Sequence, residues 1–311
     1  MKILIVLNFV TFAQCFTILD LKNVKTKMEP KKCSNETKIV AIIHSAPDNF
    51  QLREAIRKSW GVNIKTIFVL GKNSDLKKKL KKEHEKYKDI LQFSFKDSYK
   101  NLTYKHLSGY KWISKNCQKT EFVLKTDDDQ AVDIHHLKSY LSHFLDGKTQ
   151  ENFYLCYLIE KQKPQRSIRA KHFVSFQEYP EEYYPNFCSG WAYVTNINTI
   201  ENLLHVSKEQ KYFWIDDLYI TGMLPKRFLP QLKYFQWNNN FLNDHIQHKN
   251  EILEGNFFTP ELMVGSDLSP KEIETLSQKF QKCHRKKCYD KIYSDPQMTN
   301  YLKPNSQKTE L

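Results

Sequence analysis

The sequence reads as an α/β protein built on a Rossmann-like, doubly wound sheet, mostly parallel, with helices on both faces. Three observations carry that reading. Continuous apolar runs of strand length recur through the first half, as strands covered on both faces require. Segments of helical periodicity alternate with them, which is the pattern of βαβ units. The fourth apolar run ends in Asp127-Asp128-Asp129, so carboxylates cluster at the carboxyl end of a strand, where doubly wound sheets bind ligands. With 311 residues, 40% hydrophobic and 14% aromatic, the chain can bury a large core and is too aromatic for disorder.

The first strand is the run 38–44, Lys-Ile-Val-Ala-Ile-Ile-His, broken by Ser45-Ala46-Pro47-Asp48. Residues 49–60 follow as a helix, with Leu52, Ile56 and Ser59 on one side and Arg53 and Arg57 one turn apart on another; Gly61 ends it. A second buried strand over 64–70 closes at Gly71, and Ser74 or Asp75 begins a basic helix. Its Lys77-Lys78-Lys79 and Lys81-Lys82 read as a solvated face, because Glu83, Glu85 and Asp89 accompany them. The third strand is 90–95. Asp97 or Ser98 caps the next helix, where Leu102, His106, Leu107, Tyr110 and Ile113 recur at helical spacing before Cys117. The second half is less regular. A strand over 153–158 precedes a basic loop over 161–169, and Gly190 marks a turn within an aromatic-rich stretch over 183–195. Those aromatics serve either a core or a wall on which a sugar ring stacks. Asp216 and Asp217 then open an apolar helix.

The ends of the chain set expectations about compartment. Lys2 precedes an apolar segment reaching weakly to Leu19, the pattern of a secretory signal, either cleaved near Ala13-Gln14-Cys15 or retained as an anchor. Residues 1–19 are thus a signal peptide or signal anchor, 20–36 a Lys-rich luminal stem, 37–289 the folded domain and 290–311 a mobile tail. The sequons at Asn35 and Asn101 fit a lumen. Beyond Cys15, six cysteines (Cys33, Cys117, Cys156, Cys188, Cys283 and Cys288) suggest disulfides, with fifteen pairings open. The formal charge of +13 would attract nucleotide phosphates or acidic glycans. No zinc-finger spacing or RNA-binding signature accompanies it, and no nucleic-acid partner is expected.

Three successive carboxylates repel one another and persist only if solvated, hydrogen-bonded or neutralised by a cation. In extended backbone Asp127 and Asp129 share one side and Asp128 takes the other; such oxygen ligands suit Mg²⁺ or Mn²⁺ carrying a diphosphate. An Asp run also serves as an ordinary turn or helix cap. Asp216 and Asp217 are read in two ways as well, as an acidic helix N-terminus favoured by the macrodipole or as the site of a general base between aromatics.

Five blocks recur in a telling order. The run 42–50, Ile-Ile-His-Ser-Ala-Pro-Asp-Asn-Phe, leads into 53–61, Arg-Glu-Ala-Ile-Arg-Lys-Ser-Trp-Gly; the run 95–105, Phe-Lys-Asp-Ser-Tyr-Lys-Asn-Leu-Thr-Tyr-Lys, follows. Then come Lys125-Thr126-Asp127-Asp128-Asp129, the stretch from Tyr184-Pro185 through Cys188-Ser189-Gly190 to Tyr193-Val194, and Asp216-Asp217-Leu218-Tyr219. Together they resemble the β-1,3-galactosyltransferase family of Golgi enzymes, which includes β-1,3-N-acetylglucosaminyltransferases. The resemblance implies a GT-A type nucleotide-sugar transferase fold. It also implies a UDP-sugar donor, Mn²⁺ or Mg²⁺, and inverting transfer of galactose or N-acetylglucosamine to a glycan hydroxyl in β-1,3 linkage, on glycoprotein or glycolipid. By position, Asp127 and Asp129 would hold the metal and Asp217 would be the base. Lys125, Asp127, Asp128, Arg53, Arg57, Gly190, Trp191 and Asp216 would surround the substrates. Elementary chemistry agrees, since an inverting displacement needs a base at the acceptor hydroxyl and a cation on the departing diphosphate. The two arginines equally suit structural carboxylate binding. The resemblance further implies a single-pass type II Golgi membrane protein with a luminal catalytic domain, or a secreted form if the N-terminal segment is cleaved.

The chain departs from the family pattern at Ser59, Asp216, Leu218 and Ala192. Ser266 also stands where members carry a histidine before a segment like Leu268-Ser269-Pro270-Lys271-Glu272. The competing reading is a catalytically inactive glycan-binding or chaperone-like protein that keeps the fold.

Overall fold

The computed structural model describes residues 20–144, 151–237, 240–242, 249–254, 263–287 and 305–307. The first half forms β1 (Thr26–Met28), β2 (Ile39–His44), β3 (Lys65–Lys72), β4 (Ile90–Lys96) and β5 (Phe122–Asp127). Helices α1 (Phe50–Lys58), α2 (Lys77–Tyr87) and α3 (Leu102–Asn116) cross between strands β2 to β5. These four strands are parallel in the spatial order β4-β3-β2-β5. The chain therefore winds outward from β2 to β4 and returns to the other side of β2. That reversal opens a crevice between the carboxyl ends of β2 and β5, where the register sets His44 beside Asp127.

The second half adds β6 (Ala131–Val132), α4 (Ile134–Phe144), β7 (Phe153–Ile159), β8 (Phe187–Asn196), α5 (Ile197–Val206) and α6 (Asp216–Leu218). A π-turn over Tyr219–Met223 carries α6 into α7 (Leu224–Phe228), and β9 (Lys233–Gln236), β10 (Phe241–Leu242), α8 (Lys249–Glu254), β11 (Val264–Gly265), α9 (Pro270–Arg285) and β12 (Asn305–Gln307) follow. A nine-stranded sheet runs β1-β4-β3-β2-β5-β8-β7-β9-β12, and β10-β11-β6 form a small second sheet. Strand alternation divides the core in two. Ala41, Ile43, Phe68 and Leu124 pack with α1, α4 and α9 on one face, while Val40, Ile42, Ile67 and Val123 pack with α3, α5 and α6 on the other. This is the expected mostly parallel sheet with helices on both faces.

Three details differ from the sequence expectation. Residues 20–36 are not a free stem. The strand β1 pairs with β4, whose open edge would otherwise leave backbone groups unpaired; Glu29 accepts the Trp112 indole at 2.7 Å, and Cys33 is bonded to Cys117. Gly190 lies inside β8 rather than at a turn. Within the expected mobile tail Asn305–Gln307 pairs with β9; the rest of that tail, Cys288 and the signal segment 1–19 lie outside the described residues. A second disulfide, Cys156–Cys188, joins β7 to β8, and Cys283 is buried in α9. Asn35 is exposed, whereas the Asn101 amide donates to the Lys96 carbonyl and the buried Thr103 hydroxyl to that of Phe213. Among the described residues no helix is long and apolar enough to cross a membrane.

Candidate active site

A cleft of about 860 Å³ opens at the crevice between β2 and β5 and gathers the acidic motifs into one place. It is walled by the ends of β2 and β5, the turn before α3, β8 and the start of α6. Of the residues predicted from sequence, Lys125, Asp127, Asp128, Asp129, Gly190, Trp191, Asp216 and Asp217 all line it.

The β5 strand stops at Asp127, so its last side chains project into the crevice. Lys125 is buried and its Nζ bridges Asp127 Oδ1 at 2.8 Å and the Gly190 carbonyl at 2.6 Å. Burial disfavours that ammonium, but Asp127 and Asp216 outweigh it and hold the Lys125 pKa above its ordinary value. The Asp127 carboxyl is pushed up by burial and by Asp129, with Lys125 pulling it back; its side chain keeps 39% exposure toward the cleft, which moderates the burial effect. Asp128 is buried and accepts from Asn49 Nδ2 at 3.0 Å; burial raises its pKa, and the polar side chains of Ser45 and Asn49 oppose this. Asp129 accepts from Gln130 Nε2 at 2.6 Å, and the Trp60 indole fixes the Gln130 carbonyl at 2.9 Å. The tryptophan that ends the arginine-bearing segment thus braces the turn after the aspartates.

Across the cleft Asp217 accepts from the Leu218 N–H at 2.8 Å, and the Gly190 backbone lies against its carboxylate. A Cβ at Gly190 would stand 3.2 Å from Asp217 Oδ2, so a larger residue here would press that carboxylate aside by a few tenths of an ångström. Burial and the Asp216 charge push the Asp217 carboxyl up to about 6. Asp216 is bound to His106 at 2.8 Å. Burial favours its neutral form, yet the His106 hydrogen bond and Lys125 prevail and hold its pKa below the ordinary carboxylate value. The half-buried Trp191 meets Tyr157 edge to face at 5.5 Å.

Arg53 and Arg57 are not brought to the cleft. Arg53 is fully buried, grips both oxygens of Glu83 at 2.9 and 2.8 Å, and donates to Ser45 Oγ and the carbonyls of Ala46 and Pro47. Arg57 grips both oxygens of Asp89 at 2.7 and 2.9 Å and reaches Glu83 at 2.7 Å. Arg53 has all five N–H donors on protein oxygen and Arg57 makes three charge-assisted bonds, so these guanidiniums brace the loop after β2 and fasten α1 to α2. Ser266 is fully buried, and it is the next residue, Asp267, at φ 54°, that lines the cleft.

Several cleft residues have no role assigned from sequence. His44 is buried, and burial together with Lys125, His106 and Lys105 drives its pKa well below the ordinary value. Lys105 Nζ ties the Ser45 carbonyl to Asp97 at 2.9 Å each. Tyr99 bonds His172 Nδ1 at 2.9 Å and packs against Trp214 at 5.6 Å, forming an aromatic wall. Signals existed for them: His44 falls inside the first block of the resemblance, and Tyr99 and Lys105 inside the third, while His106, buried behind the cleft, lies on the apolar stripe of α3.

Residues 51–229 match the model of the family described as Galactosyltransferase. The chain is 30% identical over 256 residues to beta-1,3-galactosyltransferase 1 of Mus musculus and of Homo sapiens, covering 78% of this chain and 78% of each. It is 30% identical over 229 residues to N-acetyllactosaminide beta-1,3-N-acetylglucosaminyltransferase 4 of Mus musculus, covering 70% of this chain and 63% of that one. A solved glycosyltransferase involved in the glycosylation of the major capsid of PBCV-1 covers 78% of this chain and 99% of its own, at 12% identity and a TM-score of 0.38, too loose a likeness to bear on function. The family match takes in both acidic motifs and more than half of the chain. The chain belongs to the galactosyltransferase family and is a glycosyltransferase, using a nucleotide-sugar donor and a glycan acceptor.

Proposed function

We propose that the cleft transfers galactose or N-acetylglucosamine from a UDP-sugar to a glycan hydroxyl, inverting the anomeric carbon to form a β-1,3 linkage, with Asp217 as the base. The observation that carries this reading is the orientation of Asp217. The Leu218 N–H holds its carboxylate at the cleft surface, while the adjacent Asp216 is engaged by His106. Its pKa of about 6 lies close to the working range of a general base. As the acceptor oxygen attacks the anomeric carbon, its proton passes to Asp217, the bond from that carbon to the diphosphate oxygen breaks, and UDP leaves with the electron pair.

The cluster opposite fits a divalent cation. Asp127 and Asp129 offer hard oxygen donors at an open cleft surface, and burial together with their mutual repulsion raises the Asp127 pKa, which a cation would relieve. These two residues would hold Mn²⁺ or Mg²⁺, and a bound cation would neutralise charge on the departing diphosphate. Lys125, bonded to Asp127 from below, fixes that carboxylate and adds positive charge. Retention of both acidic motifs in one cleft disfavours a non-catalytic glycan-binding or chaperone-like role.

The luminal Golgi setting is part of the same proposal. The apolar segment before Leu19 supports passage into the secretory pathway, and the two disulfides support an oxidising lumen. UDP release from UDP-galactose and UDP-N-acetylglucosamine, with Mn²⁺ and a panel of glycan acceptors, tests the activity. Acceptor-dependent release with one donor is expected; none with any donor, from protein that binds UDP, would overturn it.

A further inference from the structure

Asp216 faces the interior as much as the cleft. The Nδ1 of His106 stands 2.8 Å from Asp216 Oδ2, and His44 Nδ1 lies 3.7 Å from the same oxygen. On the far side of the ring, His106 Nε2 is 2.5 Å from the Tyr193 hydroxyl, which is 2.6 Å from that of Tyr110. His106, Tyr110 and Tyr193 are all fully buried. A carboxylate only accepts, so His106 must donate from Nδ1. Its Nε2 then accepts from Tyr193, and the Tyr193 oxygen from Tyr110. Each donor in the chain points toward Asp216, and each side chain fixes the next.

Two neighbouring carboxylates share a proton unless their surroundings tell them apart. Here the surroundings do so. We propose that His106 is a positioning residue for transfer: its Nδ1–H keeps Asp216 as the ionised partner, so that the proton taken from the acceptor is held on Asp217. The inference rests on Asp217 being the base. The other groups that face the pair come from every packed element. They are His44 from β2, Tyr99 from the turn before α3, Lys125 and Asp127 from β5, Tyr184 from the loop before β8, and Tyr212 ahead of α6. None of them donates a hydrogen bond to Asp216 in place of His106. Burial holds His106 below its ordinary pKa, with Asp216 pulling it only partly back, as a neutral donor requires. His44, His106 and Asp216 also bring three ligand-type atoms within 4.8 Å of one another. Lys125 and Lys105 beside His44 oppose a divalent ion there and leave the hydrogen-bonded arrangement as the favoured one.

The test is the pH dependence of kcat/KM in the full chain, for wild type, His106→Gln, His106→Asn and Tyr193→Phe. Glutamine can still reach Tyr193 but not Asp216, whereas asparagine places an amide N–H where Nδ1 was. His106→Gln should move the acid limb about one pH unit lower and flatten it, because protons then distribute over both carboxylates. His106→Asn should restore the wild-type limb. Tyr193→Phe, which removes one hydroxyl, should shift the limb in the same direction by less, and it carries the test if His106→Gln does not fold. An acid limb unmoved in the folded variants, whatever their turnover, would overturn the proposal and reduce His106 to packing. An Asp217→Asn variant that keeps its turnover would instead overturn the base assignment, and the two failures are thereby told apart.

Discussion

Asp217 is a carboxylate made basic by its neighbours. Burial and the Asp216 charge raise its pKa to about 6, and transfer requires the ionised form, so activity should rise with pH through that value. A kcat/KM profile with a single-proton acid limb near pH 6 is expected; a limb near the ordinary carboxylate value would show that another group titrates. Asp217→Asn should lower transfer by about two to four orders of magnitude while UDP-sugar affinity stays within a few-fold of wild type, the signature of losing a base rather than a binding contact. Gly190 contributes at the same scale. A methyl there would sit 3.2 Å from Asp217 Oδ2, and Asp217 retreats only by loosening its bond to the Leu218 N–H that orients it. Gly190→Ala should therefore lower kcat by roughly tenfold or more with little change in thermal stability, since small misplacements of a reacting group are costly. Unchanged kcat would mean that the carboxylate has freedom to move.

Among the elements, α1 shows how a motif can be conspicuous in sequence and structural in effect. Arg57→Ala would leave Asp89 and Glu83 short of their partner in a largely buried network, and breaking such a pair costs about 3–5 kcal/mol. Urea melts should show that loss while UDP-sugar affinity stays unchanged; weaker donor binding in the folded variant would restore Arg57 to the substrate site. The spacing of Arg53 and Arg57 was legible, but their partners were not singled out, because Glu83 sits in what reads as a solvated lysine helix. A local clue was present: Glu83 follows the buried Leu80 by three residues and shares its face. The parallel half was readable because each strand is a continuous apolar run closed by Gly, Pro or a cap. Beyond Asp129 the signals weaken. Helix α9 has a capping box at Ser269 and Glu272 with Pro270 in its first turn, a recognisable start, yet the backbone turn that brings Asp267 rather than Ser266 to the cleft is set by packing from elsewhere. Gly190 reads as a turn because local sequence cannot reveal that its missing side chain makes room for Asp217, remote in sequence.

At the scale of the whole molecule, the cleft exists because a parallel half and an antiparallel half share β5 and β8, so carboxylates from β5 and α6 converge without either element containing the site. That convergence concentrates negative charge, and its cost depends on pH. Asp127 and Asp217 have folded-state pKa values raised above their unfolded ones. Their protonated forms sit comfortably at acid pH, and stability is lost as pH rises through the folded values, because each must then ionise against burial and repulsion. A cation held by Asp127 and Asp129 would remove most of that penalty, but only where the carboxylates are ionised. The expected outcome is that Mn²⁺ with UDP raises Tm substantially at about pH 7.5 and much less at about pH 5.5; a ligand at a hundredfold excess over its Kd contributes about 2.7 kcal/mol. In Asp127→Ala and Asp129→Ala the domain should still fold, since neither side chain is part of the apolar core, and the Mn²⁺-dependent gain should vanish at both pH values. A gain of equal size at the two pH values in the native protein, or one that survives both substitutions, would move the cation away from this cluster and leave Lys125 as the charge that faces the departing diphosphate.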